Sequence, residues 1–167
     1  MKVFLFIFST LLLSQCTRMD TNRELGKGVE LYKNGEMRES IQVLSNVLAV
    51  NDTCFQAHLY RGFAYKKLKD YDGALKDFNA LIGINKKSPA GFANRASVFY
   101  QLNDYSKALS DFQAAFQLDT TQTILCNPLC HMLFATGREE EACYYYARCM
   151  AQGDTTFNSS IRAYCNK

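Results

Sequence analysis

Residues 126–131 read CNPLCH, and Cys143 and Cys149 follow close behind. Cysteines and a histidine at this density can attach haem, hold a metal or form disulfides. Haem attachment ordinarily uses C-x-x-C-H, whereas the spacing here is C-x-x-x-C-H, with no Met or second His evident as an opposite ligand. The intervals between these cysteines also lack the paired C-x-x-C knuckles of recognisable zinc sites. Elsewhere no nucleophile, base and orienting group fall into a set. The histidines are His58 and His131, and no Gly-rich phosphate loop is present. The expectation is a non-enzyme with no cofactor and no dedicated metal site.

What could position these side chains follows from the whole chain. It has 167 residues, 48% of them hydrophobic, and two prolines. That is enough for one helix-rich body with a real core, and too ordered in composition for a disordered tail. A formal net charge of +3 without a Lys/Arg run is too balanced to steer nucleic acid.

The N-terminus, MKVFLFIFSTLLLSQC, places one positive charge at Lys2 before an uncharged run from Val3 to Leu13. Such a run is a signal-peptide core, too short to span a bilayer comfortably. Leu13-Ser14-Gln15-Cys16 resembles a bacterial lipobox, which implies lipidation at Cys16. Gln15 departs from the small residue usual there, and cleavage as an ordinary secretion signal is the alternative. Thr17 rather than Asp follows Cys16, so the resemblance implies the periplasmic face of a bacterial outer membrane.

Internal repetition organises the remainder. Ser40, Ala74, Ala108 and Ala142 are spaced by 34 residues, each followed four later by Leu44, Phe78, Phe112 or Tyr146. Gly28, Gly62, Ala96 and Cys130 recur at the same interval, followed three later by Leu31, Tyr65, Phe99 and Leu133. Small and large positions in phase predict helix pairs that cross closely at the small residue. With GFAYKKLKDYDGALKDF (62–78) and NRASVFYQLNDYSKALSDF (94–112), the chain resembles the tetratricopeptide repeat family. The fold that this implies is all-α, a right-handed superhelical solenoid of antiparallel helix pairs. The expected organisation is a leader (1–16), a linker (17–20), repeats at 21–54, 55–88, 89–122 and 123–156, and a closing helix at 157–167. Turns are expected at Asn34-Gly35, Lys69-Asp70, Asn103-Asp104 and Thr136-Gly137, and Ser88-Pro89 reads as an N-cap with Pro in first position.

The pattern departs from the family at its usual early aromatic, which is Glu24, His58, Phe92 and Cys126 here. Arg61 and Arg95 share one repeat position, and Asp77 and Asp111 another sixteen residues on. Intra-repeat ion pairs Arg61–Asp77 and Arg95–Asp111 are expected, with two solvated charges as the alternative. Folding the fourth repeat back near residue 137 brings Cys130 towards Cys143 and Cys126 towards Cys149. Disulfides Cys126–Cys149 and Cys130–Cys143 follow for an exported chain, with Cys165 as a competitor for Cys149 or Cys143 and with buried thiols and a metal site left open. Pro128 could delay the helix and leave Cys126 in a loop. Asp119-Thr120-Thr121 and Asp154-Thr155-Thr156 read as turn and cap chemistry, and also resemble a bacterial O-glycosylation sequence.

The family resemblance implies a concave groove that takes a protein or peptide partner. Its positions fall on Val29, Tyr32, Lys33, Phe63, Lys66, Lys67, Asn94, Ser97, Tyr100, Gln101, His131 and Phe134. Leu25 and Val29 replace the first two residues of the carboxylate clamp found in some relatives, which disfavours chaperone-tail binding. The function expected is a membrane-anchored interaction scaffold without small-molecule substrate or nucleic acid. The alternatives are a small redox or metal protein using Cys126, Cys130, Cys143 and Cys149, and a stacking structural subunit.

Overall fold

The computed structural model describes residues 20–119, 126–153 and 159–166. Cys16 and the leader lie outside them, as do Thr120, Thr121, Asp154, Thr155 and Thr156. The described residues form helices and no strand. Helix α1 covers 20–34. It is followed by α2 (Met37–Val50), α3 (Phe55–Lys67), α4 (Tyr71–Ile84), α5 (Pro89–Gln101), α6 (Tyr105–Leu118), α7 (Cys126–Ala135), α8 (Glu139–Met150) and α9 (Ser159–Cys165). The chain divides within α4 into an N-terminal unit ending at Ala80 and a C-terminal unit starting at Leu81.

Each odd helix from α1 to α7 reverses into its partner through the same backbone device. Gly35, Lys69, Asn103 and Gly137 all take the left-handed conformation, with φ of 89°, 61°, 60° and 72°. The next N–H then donates back to the helix, from Glu36, Asp70, Asp104 and Arg138 to the carbonyls of Leu31, Tyr65, Phe99 and Leu133, each at 2.9 Å. This closes the helix end and satisfies a carbonyl that would otherwise be orphaned. Asp104 then caps α6 by accepting from the Lys107 N–H. Ser88 does stand before Pro89 at the start of α5, but its hydroxyl makes no cap hydrogen bond.

The helices of a pair meet at the small positions. A Cβ on Gly28 would sit 2.6 Å from Leu44 Cδ2, and one on Gly62 would sit 2.6 Å from Phe78 Cε1. At the first crossing Ser40 Oγ donates to the Gly28 carbonyl at 2.8 Å, and at the last Cys130 Sγ donates to the Ala142 carbonyl at 3.5 Å. Between these, Ala64, Ala74 and Phe78 are fully buried in the N-terminal unit. In the C-terminal unit Ala96, Ala108, Phe112, Leu129, Leu133, Ala142 and Tyr146 belong to one continuous cluster.

Three substitutions separate these constraints. Replacing Lys69 by Gly removes a left-handed side-chain penalty and should raise stability by up to about 1 kcal/mol. Gly62→Ala should lower it by about 1–2 kcal/mol, because the buried Phe78 ring must move. Gly83→Ala in α4, where a Cβ meets nothing within 4 Å, should instead stabilise by up to about 1 kcal/mol. Urea unfolding midpoints at constant m-value would report all three.

Candidate partner-binding surface

In the N-terminal unit α1 and α3 present their inner faces side by side. Tyr32 from α1 lies 5.5 Å from Tyr60 and 6.0 Å from Phe63, and the two α3 rings meet edge-on at 6.1 Å. Phe63 also packs on the buried Phe78, so the cluster is rooted in the core. Such ring pairs add about 0.5–1.5 kcal/mol beyond area burial, which makes this a rigid platform. Beside it runs a cleft of ≈ 650 Å³ lined by Leu25, Val29, Glu30, Lys33, Gln56 and Tyr60, among others. Its floor is apolar and its rim charged, the usual composition of a binding groove.

Lys66 extends the rim over the aromatic cluster, with Nζ 5.7 Å from the Phe63 centroid. Burial, and then the charge of Lys67, hold its ammonium below the ordinary lysine pKa. Burial, and then Tyr60, raise the Tyr32 phenol above its ordinary value. Both groups therefore sit in a partly dry surface that a partner would dry further.

Val29, Tyr32, Lys33, Phe63 and Lys66 thus lie on one face of this unit, and Lys33 and Lys67 are exposed. Tyr60 lies there too, although it was not among the groove positions read from the sequence. Its repeat equivalent Asn94 was among them, so the 34-residue period carried a signal for this position that could have found it. In the C-terminal unit the positions are more dispersed. Asn94 spends its amide on the Ala90 carbonyl of its own helix at 2.8 Å. The Tyr100 ring meets Tyr105 at a tilt, centroids 5.8 Å apart, and stays 41% exposed. Ser97 is half-buried, while Gln101 and His131 are exposed. Phe134 is half-buried beneath α9, its ring 5.2 Å edge-on from Tyr164. It serves there as packing.

Charged pairs tie each central helix pair together. Arg61 places Nε and Nη2 on the two Asp77 oxygens at 2.9 and 2.7 Å, and its Nη1 reaches Ser45 Oγ at 2.9 Å. Arg95 holds Asp111 the same way at 2.7 and 2.8 Å. Burial works against the Arg61 charge, but the Asp77 hydrogen bonds and attraction outweigh it and leave its pKa raised. For Arg95 the hydrogen bond to Asp111 comes first and burial opposes it, again leaving the pKa raised.

His58 joins the first of these pairs, which the sequence pattern did not announce. Its Nδ1 lies 2.7 Å from Asp77 Oδ1 and its Nε2 lies 2.8 Å from the Asp52 carbonyl. A carbonyl can only accept, so Nε2 is the donor to Asp52, and Nδ1 faces the Asp77 carboxyl. His58 stands where the family usually has an aromatic, and it anchors the start of α3 by polar rather than apolar contact. Phe92 at the equivalent position lies under the Arg95 guanidinium at 5.8 Å.

The third equivalent, Cys126, is bonded to Cys149. Helix is already formed at Cys126, so Pro128 does not displace it into a loop. The expected Cys130–Cys143 bridge does not form; Cys143 pairs with Cys165 on α9. Cys130 occupies the tight crossing, where its Sγ is directed at the carbonyl of Ala142. Cys143 is the next residue round the helix and turns towards α9. Cys54 is a half-buried thiol at the N-terminus of α3. Among the described residues no group of three or more His, Cys, Asp or Glu side chains could hold a metal ion. With Cys126, Cys143 and Cys149 oxidised, the four-cysteine cluster has one thiol left.

Asp77→Asn should cost about 3 kcal/mol or more, since it strips the carboxylate from a half-buried arginine and a buried histidine together. Asp111→Asn, which strips it from Arg95, should cost less, at about 1–2 kcal/mol. Equal losses in urea unfolding would refute the three-residue cluster.

Two models of the tetratricopeptide repeat match the chain, at residues 25–90 and 91–122. No curated protein matches it. Among solved structures, one described as the crystal structure of MamA protein is similar with a TM-score of 0.71 at 16% identity, over 80% of this chain and 73% of that one. MamA 41-end from Desulfovibrio magneticus RS-1 gives 0.72 at 17% identity, over 83% and 78%. The first TPR of Spaghetti (RPAP3), solved bound to the HSP90 peptide SRMEEVD, gives 0.66 at 20% identity, over 70% and 93%. At these identities the likeness carries the fold. The 34-residue period, the helix pairs closing at small residues and the two matching repeat models together make this chain a member of the tetratricopeptide repeat family.

Proposed function

We propose that this protein is an interaction scaffold that holds a partner protein by an extended peptide or a helix laid across α1 and α3. The observation that carries this reading is the cleft beside the Tyr32–Tyr60–Phe63 platform, apolar in its floor and rimmed by Lys33 and Glu30. A peptide-bound repeat domain among the similar structures supports the same mode.

The scaffold is anchored to a bacterial envelope membrane through Cys16 in this reading. The leader supports it, since Leu13-Ser14-Gln15-Cys16 ends an uncharged core too short to span a bilayer. The two disulfides support export, because such bonds persist in oxidising compartments. Among the described residues no helix is long and apolar enough to cross a membrane.

A photoreactive residue placed at Lys33 should cross-link a discrete partner in cells, and one placed at the exposed Lys76 of α4 should not. The same adduct from both positions, or none from Lys33, would remove the groove from consideration. Separately, Cys16→Ser should shift the chain from the membrane to the soluble fraction and abolish incorporation of labelled fatty acid. Unchanged fractionation would rule out the anchor.

A further inference from the structure

We propose that the Cys143–Cys165 disulfide is a reversible redox modification site, cleaved by a dithiol while Cys126–Cys149 stays intact, and that its cleavage undocks α9. The two bridges differ in access. Cys126 and Cys149 are both fully buried at 0% exposure within the helix hairpin. Cys143 and Cys165 are half-buried, next to the exposed Tyr144 and Tyr164. Disulfide cleavage needs a thiolate to reach one sulfur in line, so access decides which bond reacts first.

The dependence of α9 on this bond follows from its size. It spans seven residues, Ser159–Cys165, well short of what is stable as an isolated helix in water. Ile161 is the buried side chain among those described in α9, at 3% exposure, while Arg162, Ala163 and Tyr164 face solvent. The Tyr164 ring closes edge-on over Phe134, and Asn166 Nδ2 reaches Tyr146 Oη at 3.5 Å. The covalent link to α8 holds these contacts at high effective concentration.

The step is balanced by the dithiol. Its thiolate attacks one of the two sulfurs, forms a mixed disulfide and expels the other cysteine as a thiolate, which takes a proton. The second thiol of the reductant then closes on the first, leaving Cys143 and Cys165 as thiols and the reductant as its cyclic disulfide. Two electrons pass to the protein. Cys130 takes no part, since its buried thiol is held at the Ala142 carbonyl.

The test uses the folded full chain treated with dithiothreitol, followed by timed alkylation and peptide mass mapping. Cys143 and Cys165 should be alkylated at least about tenfold faster than Cys126 and Cys149. Amide exchange across 159–166 should rise by about tenfold or more on cleavage, while α7 and α8 keep their protection. Equal reaction of the two bridges, or earlier loss of Cys126–Cys149, would overturn the selectivity. Unchanged protection of 159–166 after cleavage would overturn the undocking. A Cys143→Ser/Cys165→Ser variant should show the exchange pattern of the reduced protein without any reductant, and protection like that of the oxidised protein would count against the idea equally.

Discussion

The close crossing of paired helices at a small residue is the constraint on which the other features depend. Where Gly28 or Gly62 faces the next helix, there is no room for a further carbon atom. That proximity brings the residues on either side of the crossing within bonding distance, so Arg61 can span to Asp77 and Arg95 to Asp111. It also fixes where α1 and α3 lie beside each other, and so brings Tyr32 against Tyr60 and Phe63. A groove built this way is a by-product of core packing, rigid because its rings share contacts with the buried Phe78.

The second, third and fourth repeats secure the start of their first helices with different chemistry at the same position. In the second repeat His58 bonds Asp77, in the third Phe92 lies beneath Arg95, and in the fourth Cys126 is bonded to Cys149. The differences are graded in kind. A shared aromatic contact is adaptable, a buried ion cluster is costly to break, and a covalent bond constrains even the unfolded chain. The disulfides fall in the fourth repeat and the closing helix, and they tie α7, α8 and α9 to one another.

The division between groove and staple also separates the functions open to the chain. The cysteine cluster that invites a redox or metal reading is largely consumed by bonds that hold helices together. The aromatic and lysine side chains of α1 and α3 stand instead on an accessible surface, where the lowered Lys66 pKa records partial drying rather than full burial. Tyr100 and Tyr144 extend aromatic exposure into the C-terminal unit.

By itself the sequence determined the helix pairs, their turns and the residues at the crossings, because a 34-residue period forces the same packing solution in successive units. It also indicated the Arg–Asp spacings, since both members recur sixteen residues apart. Only the tertiary structure decided the partners of residues that occur in one repeat alone. His58 found Asp77 and Asp52, Tyr60 joined the groove, and Cys143 turned from Cys130 to Cys165. The physical reason is direction. Sequence spacing says which residues are near a crossing, but one step along a helix rotates a side chain by about 100°, and that rotation chose between Ala142 and Cys143 as the neighbour of Cys130.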